Sequence, residues 1–274
     1  MPSYKDWVHE LRYEHHRQSI QNLHDALIQN EEYLAVIVGG SLTHGYYRED
    51  SDIDIMLIVD ADTYAQRLAS NHISYYSDDP SIITYDRGYV DGKIQGIDYL
   101  ELVAERGSEP ARFAFMDSKV LFTRIDCMEE LIHRITRYPV EKKSENIARF
   151  HAQFEGWCWF IAEAEKRDNA YLMMQAVSSV VLFATRMFLA LNERIYPYHK
   201  AMLMELEKCE DKPGDLMEKI NTLLSNPCEK NSRALRDVVY GYREWEKHPE
   251  SWTVQFVKDC ELNWKYGNCP VADI

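Results

Sequence analysis

The 274-residue chain opens on "MPSYKDWVHELRYEHH", which lacks the basic start and apolar centre of a signal peptide. No uninterrupted apolar run approaches the roughly 20 residues of a membrane helix, so the expectation is a cytoplasmic protein with no membrane partner. The six cysteines, Cys127, Cys158, Cys209, Cys228, Cys260 and Cys269, lack any pair at metal-ligand spacing. That pattern argues against a disulfide frame and a zinc site. No internal repeat, low-complexity tract or Lys/Arg cluster interrupts the chain. Without a basic track, extended contact with nucleic acid is disfavoured.

Charge of one sign is abundant. The net charge is −14, and residues 1–140 hold 13 Lys and Arg against 24 Asp and Glu, a net of −11. Such a field repels phosphate backbones and draws in small cations, with solubility as its commonest use. A hydrophobic content of 46% is ample for a core, and the length suits one large domain or two ordinary ones.

Two regions differ in pattern. From Trp7 to Ile28 apolar residues recur at helical spacing, and "YLAVIV" and "IDIMLIV" follow as strands. "SIITYDRGYVDGKIQGIDYLEL" reads as a hairpin turning at Asp91-Gly92, and "KVLFTR" as a further strand. Beyond Asp126 long apolar segments keep a helical period. Pro139 punctuates the change, which gives an α+β domain at 1–139 and an α-helical bundle at 140–274. Trp157, Trp159, Phe160, Met173, Met174 and Met187 read as bundle core.

The stretch "VIVGGSLTHGYYREDSDIDIMLIVD", Val36 to Asp60, carries the chemistry. Gly39 and Gly40 allow close backbone approach to a ligand, and Ser41 adds a hydroxyl and an N–H, with a helix start behind them to favour anions. Strand alternation puts Asp52 and Asp54 on one face and Ile53, Ile55 and Leu57 on the other. Two like charges so placed call for a compensating cation, and carboxylate oxygens suit a hard divalent ion.

The pattern of Gly40-Ser41, Gly45, Ser51 and Asp52-Ile53-Asp54 resembles the signature of the nucleotidyltransferase superfamily, which includes aminoglycoside nucleotidyltransferases, poly(A) polymerases and bacterial minimal nucleotidyltransferases. The resemblance implies a short mixed β-sheet flanked by helices. It also implies one or two Mg²⁺ ions on Asp52 and Asp54, and a nucleoside triphosphate, ATP first, held at Gly39, Gly40 and Ser41. Members commonly bring a third carboxylate from a later strand. Asp98 and Glu101 are the candidates; as strand residues they face opposite sides, and Asp98 is chosen as metal ligand and catalytic base because it shares its face with Gly96. Asp91 is assigned to a turn. Arg48 is a candidate phosphate contact, while His44, Tyr46 and Tyr47 are read as loop cover.

In the helical region "LNERIYPYHKAML" is similar to an interhelical segment that some antibiotic nucleotidyltransferases turn toward the nucleotide, which makes Lys200 a second candidate. Capping by Tyr198, His199 and Lys200 is the competing use. Arg194 and His199 also fit a loose Arg-His pattern of ribonuclease domains that partner minimal nucleotidyltransferases. The expected activity is Mg-dependent transfer of a nucleoside monophosphate to a hydroxyl of a small, cationic, aminoglycoside-like acceptor, with release of pyrophosphate (EC 2.7.7 type). An antitoxin-like modifier of a protein partner and a non-catalytic nucleotide sensor are the alternatives. The sequence leaves the oligomeric state undetermined.

Overall fold

A computed structural model describes residues 4–274. The chain divides into two compact units, residues 1–107 with 111–137, and residues 108–110 with 138–274. The first holds α1 (Tyr4–Val8), α2 (Glu14–Leu27), β1 (Ala35–Gly39), α3 (Gly40–His44), β2 (Ile53–Val59), α4 (Ala61–Ala69), β3 (Ser74–Ser77), β4 (Val90–Gly96) and α5 (Ile97–Arg106). Part of α6 (Glu109–Phe113) follows, then β5 (Lys119–Thr123) and α7 (Met128–Thr136).

The sheet is mixed, in the order β3-β4-β2-β1-β5. β1 runs antiparallel to β2 and β5, β4 runs parallel to β2, and edge strand β3 runs antiparallel to β4. A parallel pair needs a crossover, and the segment containing α4 supplies it. Both faces of the central strands are covered, so β1 is buried throughout and β2 from Ile55 onward. Val36, Val38, Ile53, Ile55, Leu57 and Val59 form one core with Ile20, Leu23 and Leu27 of α2. Ala35, Ile37, Met56 and Ile58 form the other with Leu100 and Val103 of α5 and Leu131 and Ile135 of α7.

Residues 90–102 are not a hairpin. Asp91 and Gly92 lie inside β4, and β4 pairs with "SYYS" in β3, too short and polar to be legible as a strand. The segment "IDYLEL" is helical: Gly96 precedes the first turn, and Leu100 and Val103 are buried three apart.

The second unit is helical: α8 (Lys143–Lys166), α9 (Ala170–Leu191), α10 (Met202–Glu207), α11 (Leu216–Ser225), α12 (Glu229–Tyr242), α13 (Trp252–Cys260) and α14 (Asn263–Tyr266). Helix α9 corrects the expectation of no membrane-length segment. Its 22 residues and mean hydropathy of 1.6 are enough to cross a membrane, but 72% of the window is buried within the protein, as a core helix requires. Polar interruptions such as Gln175 and Arg186 hid its length from a search for unbroken runs. Met187 is core, whereas Met174 (73%) and Trp159 (52%) are exposed, against expectation. Arg186 is fully buried between the rings of Phe150 and Tyr196, each 4.4 Å from its guanidinium carbon. It makes bonds of 2.9 and 3.1 Å to the two oxygens of buried Glu109.

His151 on α8 stacks on Tyr240 at 5.3 Å and leaves Nε2 buried without a partner. Burial pushes its pKa down to about 4, with Lys247 and Arg236 lowering it further and Glu155 opposing. The folded ring is therefore neutral, and below pH 6.5 the unfolded chain binds a proton that the fold refuses. Stability from this group is complete above about pH 6.5 and declines as the pH falls toward 4, by about 3 kcal/mol in total. Denaturant titrations at pH 7 and 4.5 should show a smaller acid loss in His151→Phe than in the unsubstituted protein. Equal losses would remove His151 as the cause.

Candidate active site

The site begins where β1 ends. Gly39 is extended and Gly40 turns into the left-handed region at φ +68°, opening the one-turn helix α3. A side chain at Gly40 has no room, because an added Cβ would lie 1.8 Å from Asp54 Oδ2. An added Cβ at Gly39 would press on the Ala114 carbonyl oxygen at 3.2 Å. The turn and the carboxylate therefore share one space. Ser41 Oγ is buried with no hydrogen-bond partner, an orphaned donor where a ligand oxygen would satisfy it. Because α3 spans five residues, the anion preference rests on these local donors rather than on a helix macrodipole.

Strand register assembles the carboxylates. Gly39 faces Asp54 across β1 and β2, and Asp54 faces Asp91 across β2 and β4. Neighbours in register share a face, so Asp54 and Asp91 stand side by side at the end of the sheet. Asp52 lies just before β2 on the same parity, and Ile53, Ile55 and Leu57 point into the opposite core, as alternation requires.

The surroundings of Asp52 are built from residues the sequence analysis passed over. Tyr89 donates a hydrogen bond to Asp52, and that bond, with the charges of Asp52, Asp91 and Asp54, keeps the phenol protonated. The Tyr85 hydroxyl donates to the Ser51 carbonyl at 2.7 Å, and burial aided by Asp52 raises its pKa to about 12. His16 Nε2 donates to the same carbonyl at 3.0 Å, its pKa lowered chiefly by burial, so the ring stays neutral. His15 holds the Glu49 carbonyl at 2.9 Å, and the Tyr47 hydroxyl accepts from Arg12 N at 2.6 Å. Lys93, two residues beyond Asp91, is exposed by surface area, yet crowding around it lowers its pKa and Asp54 opposes that shift. A Tyr-Asp-Arg-Gly-Tyr-Val-Asp run beside an Asp-x-Asp motif was the available signal for Tyr85, Tyr89 and Asp91; reading Asp91 as a turn residue concealed it.

The other expected residues fall differently. Asp98 is not a strand residue: it lies in the first turn of α5, beyond Gly96, which pairs with Val59 five positions along β2 from Asp54. The structure thus does not bring Asp98 to Asp52 and Asp54, and the alternation argument against Glu101 lapses, since Glu101 sits on the same helix paired with Arg134 at 2.7 Å. Arg48 is exposed and pairs with Asp50 at 3.2 Å. His44 stacks between Tyr46 (5.4 Å) and Phe113 (4.8 Å) and bonds Asp117 at 3.2 Å. Lys200 belongs to the second unit, exposed in the segment between α9 and α10. In that unit Arg194 pairs with Glu205, and His199 bonds the Tyr196 hydroxyl at 3.2 Å.

Among the described residues no group of three or more His, Cys, Asp or Glu side chains is already gathered as a metal site. Magnesium is usually held by one or two carboxylates, with phosphate oxygens and water completing its shell. The hard-oxygen set of Asp52, Asp54 and Asp91 beside an orphaned hydroxyl suits a cation that arrives with its nucleotide.

Residues 20–152 match the family described as Nucleotidyltransferase domain, and this part of the chain is a nucleotidyltransferase domain. Domains of this class move nucleotidyl groups and typically use a nucleoside triphosphate with divalent metal. The chain is similar to a nucleotidyltransferase-like protein from Exiguobacterium sibiricum 255-15, with 12% identity, 91% of each chain covered and a TM-score of 0.47. No curated protein matches it.

Gly40→Ala should cost about 1–2 kcal/mol from the left-handed backbone alone, and should also displace Asp54. A lower melting temperature together with lost binding of a fluorescent ATP analogue is expected. An alanine variant that melts and binds nucleotide as before would refute the shared-space geometry.

Proposed function

We propose that the protein is a Mg²⁺-dependent nucleotidyltransferase that moves a nucleoside monophosphate, from ATP first, to a hydroxyl of a small cationic acceptor and releases pyrophosphate. The observation that carries this reading is the interlock of Gly40 with Asp54, which joins a turn suited to phosphate directly to a carboxylate suited to metal. The Gly39–Ser41 backbone and the Ser41 hydroxyl bind the terminal phosphates. Asp52, Asp54 and Asp91 would hold the divalent ion, which when bound neutralises the triphosphate and the leaving pyrophosphate. Tyr89 and the pair His16 and Tyr85 keep Asp52 and its loop in place before nucleotide arrives.

The acceptor oxygen forms a bond to the α-phosphorus as the bridging bond to the β-phosphate breaks. Asp91 takes the hydroxyl proton, the part earlier assigned to Asp98. An acidic N-terminal region, net −11 over residues 1–140, favours a cationic acceptor over a polynucleotide. Six free cysteines support a reducing, cytoplasmic setting.

With labelled ATP and a panel of aminoglycosides, other small alcohols and total tRNA, transfer to a small amine-bearing alcohol is expected. Asp52→Asn and Asp54→Asn should reduce transfer about 100-fold or more with no loss of melting temperature, since each also relieves like-charge repulsion. Asp91→Asn should depress turnover, and Asp98→Asn should change little. Label in tRNA alone would overturn the acceptor class, and full activity of Asp54→Asn would overturn the metal assignment.

A further inference from the structure

The face of the sheet that bears the carboxylates holds one more feature that phosphate and metal leave unused. Tyr76 on edge strand β3 lies in register with Asp91, Asp91 with Asp54, and Asp54 with Gly39. Ring, carboxylates and turn therefore form one transverse row on one face, and at about 4.8 Å per strand Tyr76 stands about 14 Å from Gly39. Tyr76 is 63% exposed, although it is a large ring at a strand position. It stacks on Tyr89 with centroids 5.5 Å apart and planes 28° apart. Tyr89 in turn donates to Asp52. The aromatic pair is thus tied to a metal-site carboxylate at one end and open to solvent at the other.

The row has a direction. In an in-line displacement the attacking oxygen approaches from the side opposite the leaving group. With the terminal phosphates at Gly39–Ser41 on the β1 side, the acceptor enters from the β4 and β3 side, where Tyr76 and Tyr89 stand. We propose that the Tyr76–Tyr89 pair is the acceptor subsite and takes a saturated ring carrying amino groups, an aminosugar. The inference rests on the reading of Asp52, Asp54 and the Gly40 turn as a metal–nucleotide site. An aromatic face carries negative potential and attracts an ammonium group while packing against the apolar face of a ring. The charge around the pair is mostly of the matching sign: Asp52, Asp91 and Asp54 all act on Tyr89, and residues 74–91 contain four Asp and one Arg, with Lys93 the cation on the same face two residues beyond Asp91. A neutral flat base gains nothing from those charges.

The test measures the two ligands separately in the full-length protein. Kanamycin, as the aminosugar probe, is titrated calorimetrically without nucleotide, and a fluorescent ATP analogue is titrated with Mg²⁺. Tyr76→Ala should weaken kanamycin binding about tenfold, the scale of one cation–π contact, and leave nucleotide binding within about twofold. Tyr76→Phe, which keeps the ring, should bind kanamycin as the unsubstituted protein does. Because Tyr76 is exposed, the alanine variant should melt normally. Kanamycin bound equally by Tyr76→Ala, or not bound by the unsubstituted protein, overturns the subsite. Weakened nucleotide with unchanged kanamycin makes the pair a base platform and overturns it too. Absence of Mg-dependent nucleotide binding in the unsubstituted protein is a different result, which removes the underlying metal–nucleotide reading and the acceptor direction with it.

Discussion

The whole site depends on one steric constraint, the contact between the backbone of Gly40 and the side chain of Asp54. Where any other residue would place its Cβ, the carboxylate already stands. Gly40 also turns through the left-handed region, a second reason for glycine there, and the next residue leaves Ser41 Oγ buried. Asp54 in turn is fixed by the β1–β2 register, so a slip of one residue would move it to the opposite core and dissolve the site. The central strands pay for that precision with two covered faces: Met56 and Ile58 lock one side of β2 and Ile55 and Leu57 the other.

Around this point the protein spends neutral groups to hold charged ones. Ser51 receives two donors on one carbonyl, from His16 and Tyr85, and both donors stay uncharged because burial disfavours their ionised forms. Tyr89 bonds Asp52 directly. Asp52 and its loop are thus oriented by uncharged donors. The second unit solves a different problem. There Arg186 and Glu109 are both buried, and the pair persists because each guanidinium–carboxylate bond is made and aromatic faces cover the cation.

The sequence by itself determined the motif, its face and the change from strands to helices. Gly40, Ser41, Asp52 and Asp54 were legible because strand alternation and the needs of a tight turn act over a few residues, and those local rules hold in any context. The third carboxylate was not legible. Asp91 and Asp98 both sit near glycines in a stretch of mixed pattern, and which of them meets Asp54 is a question of register between β2 and β4, strands separated by thirty residues that carry no pairing code of their own. The same holds for Tyr76, brought beside Asp91 by an edge strand too short to announce itself, and for Tyr89, which reaches Asp52 through the β2–β4 register. Exposure of Trp159 and Met174 was equally hidden, because helical period shows that a face is apolar and only the packed neighbours decide whether that face is covered. Local chemistry was written in the order of residues; the partner of each residue across the sheet was decided by tertiary pairing, where hydrogen bonds between backbones are blind to side-chain identity.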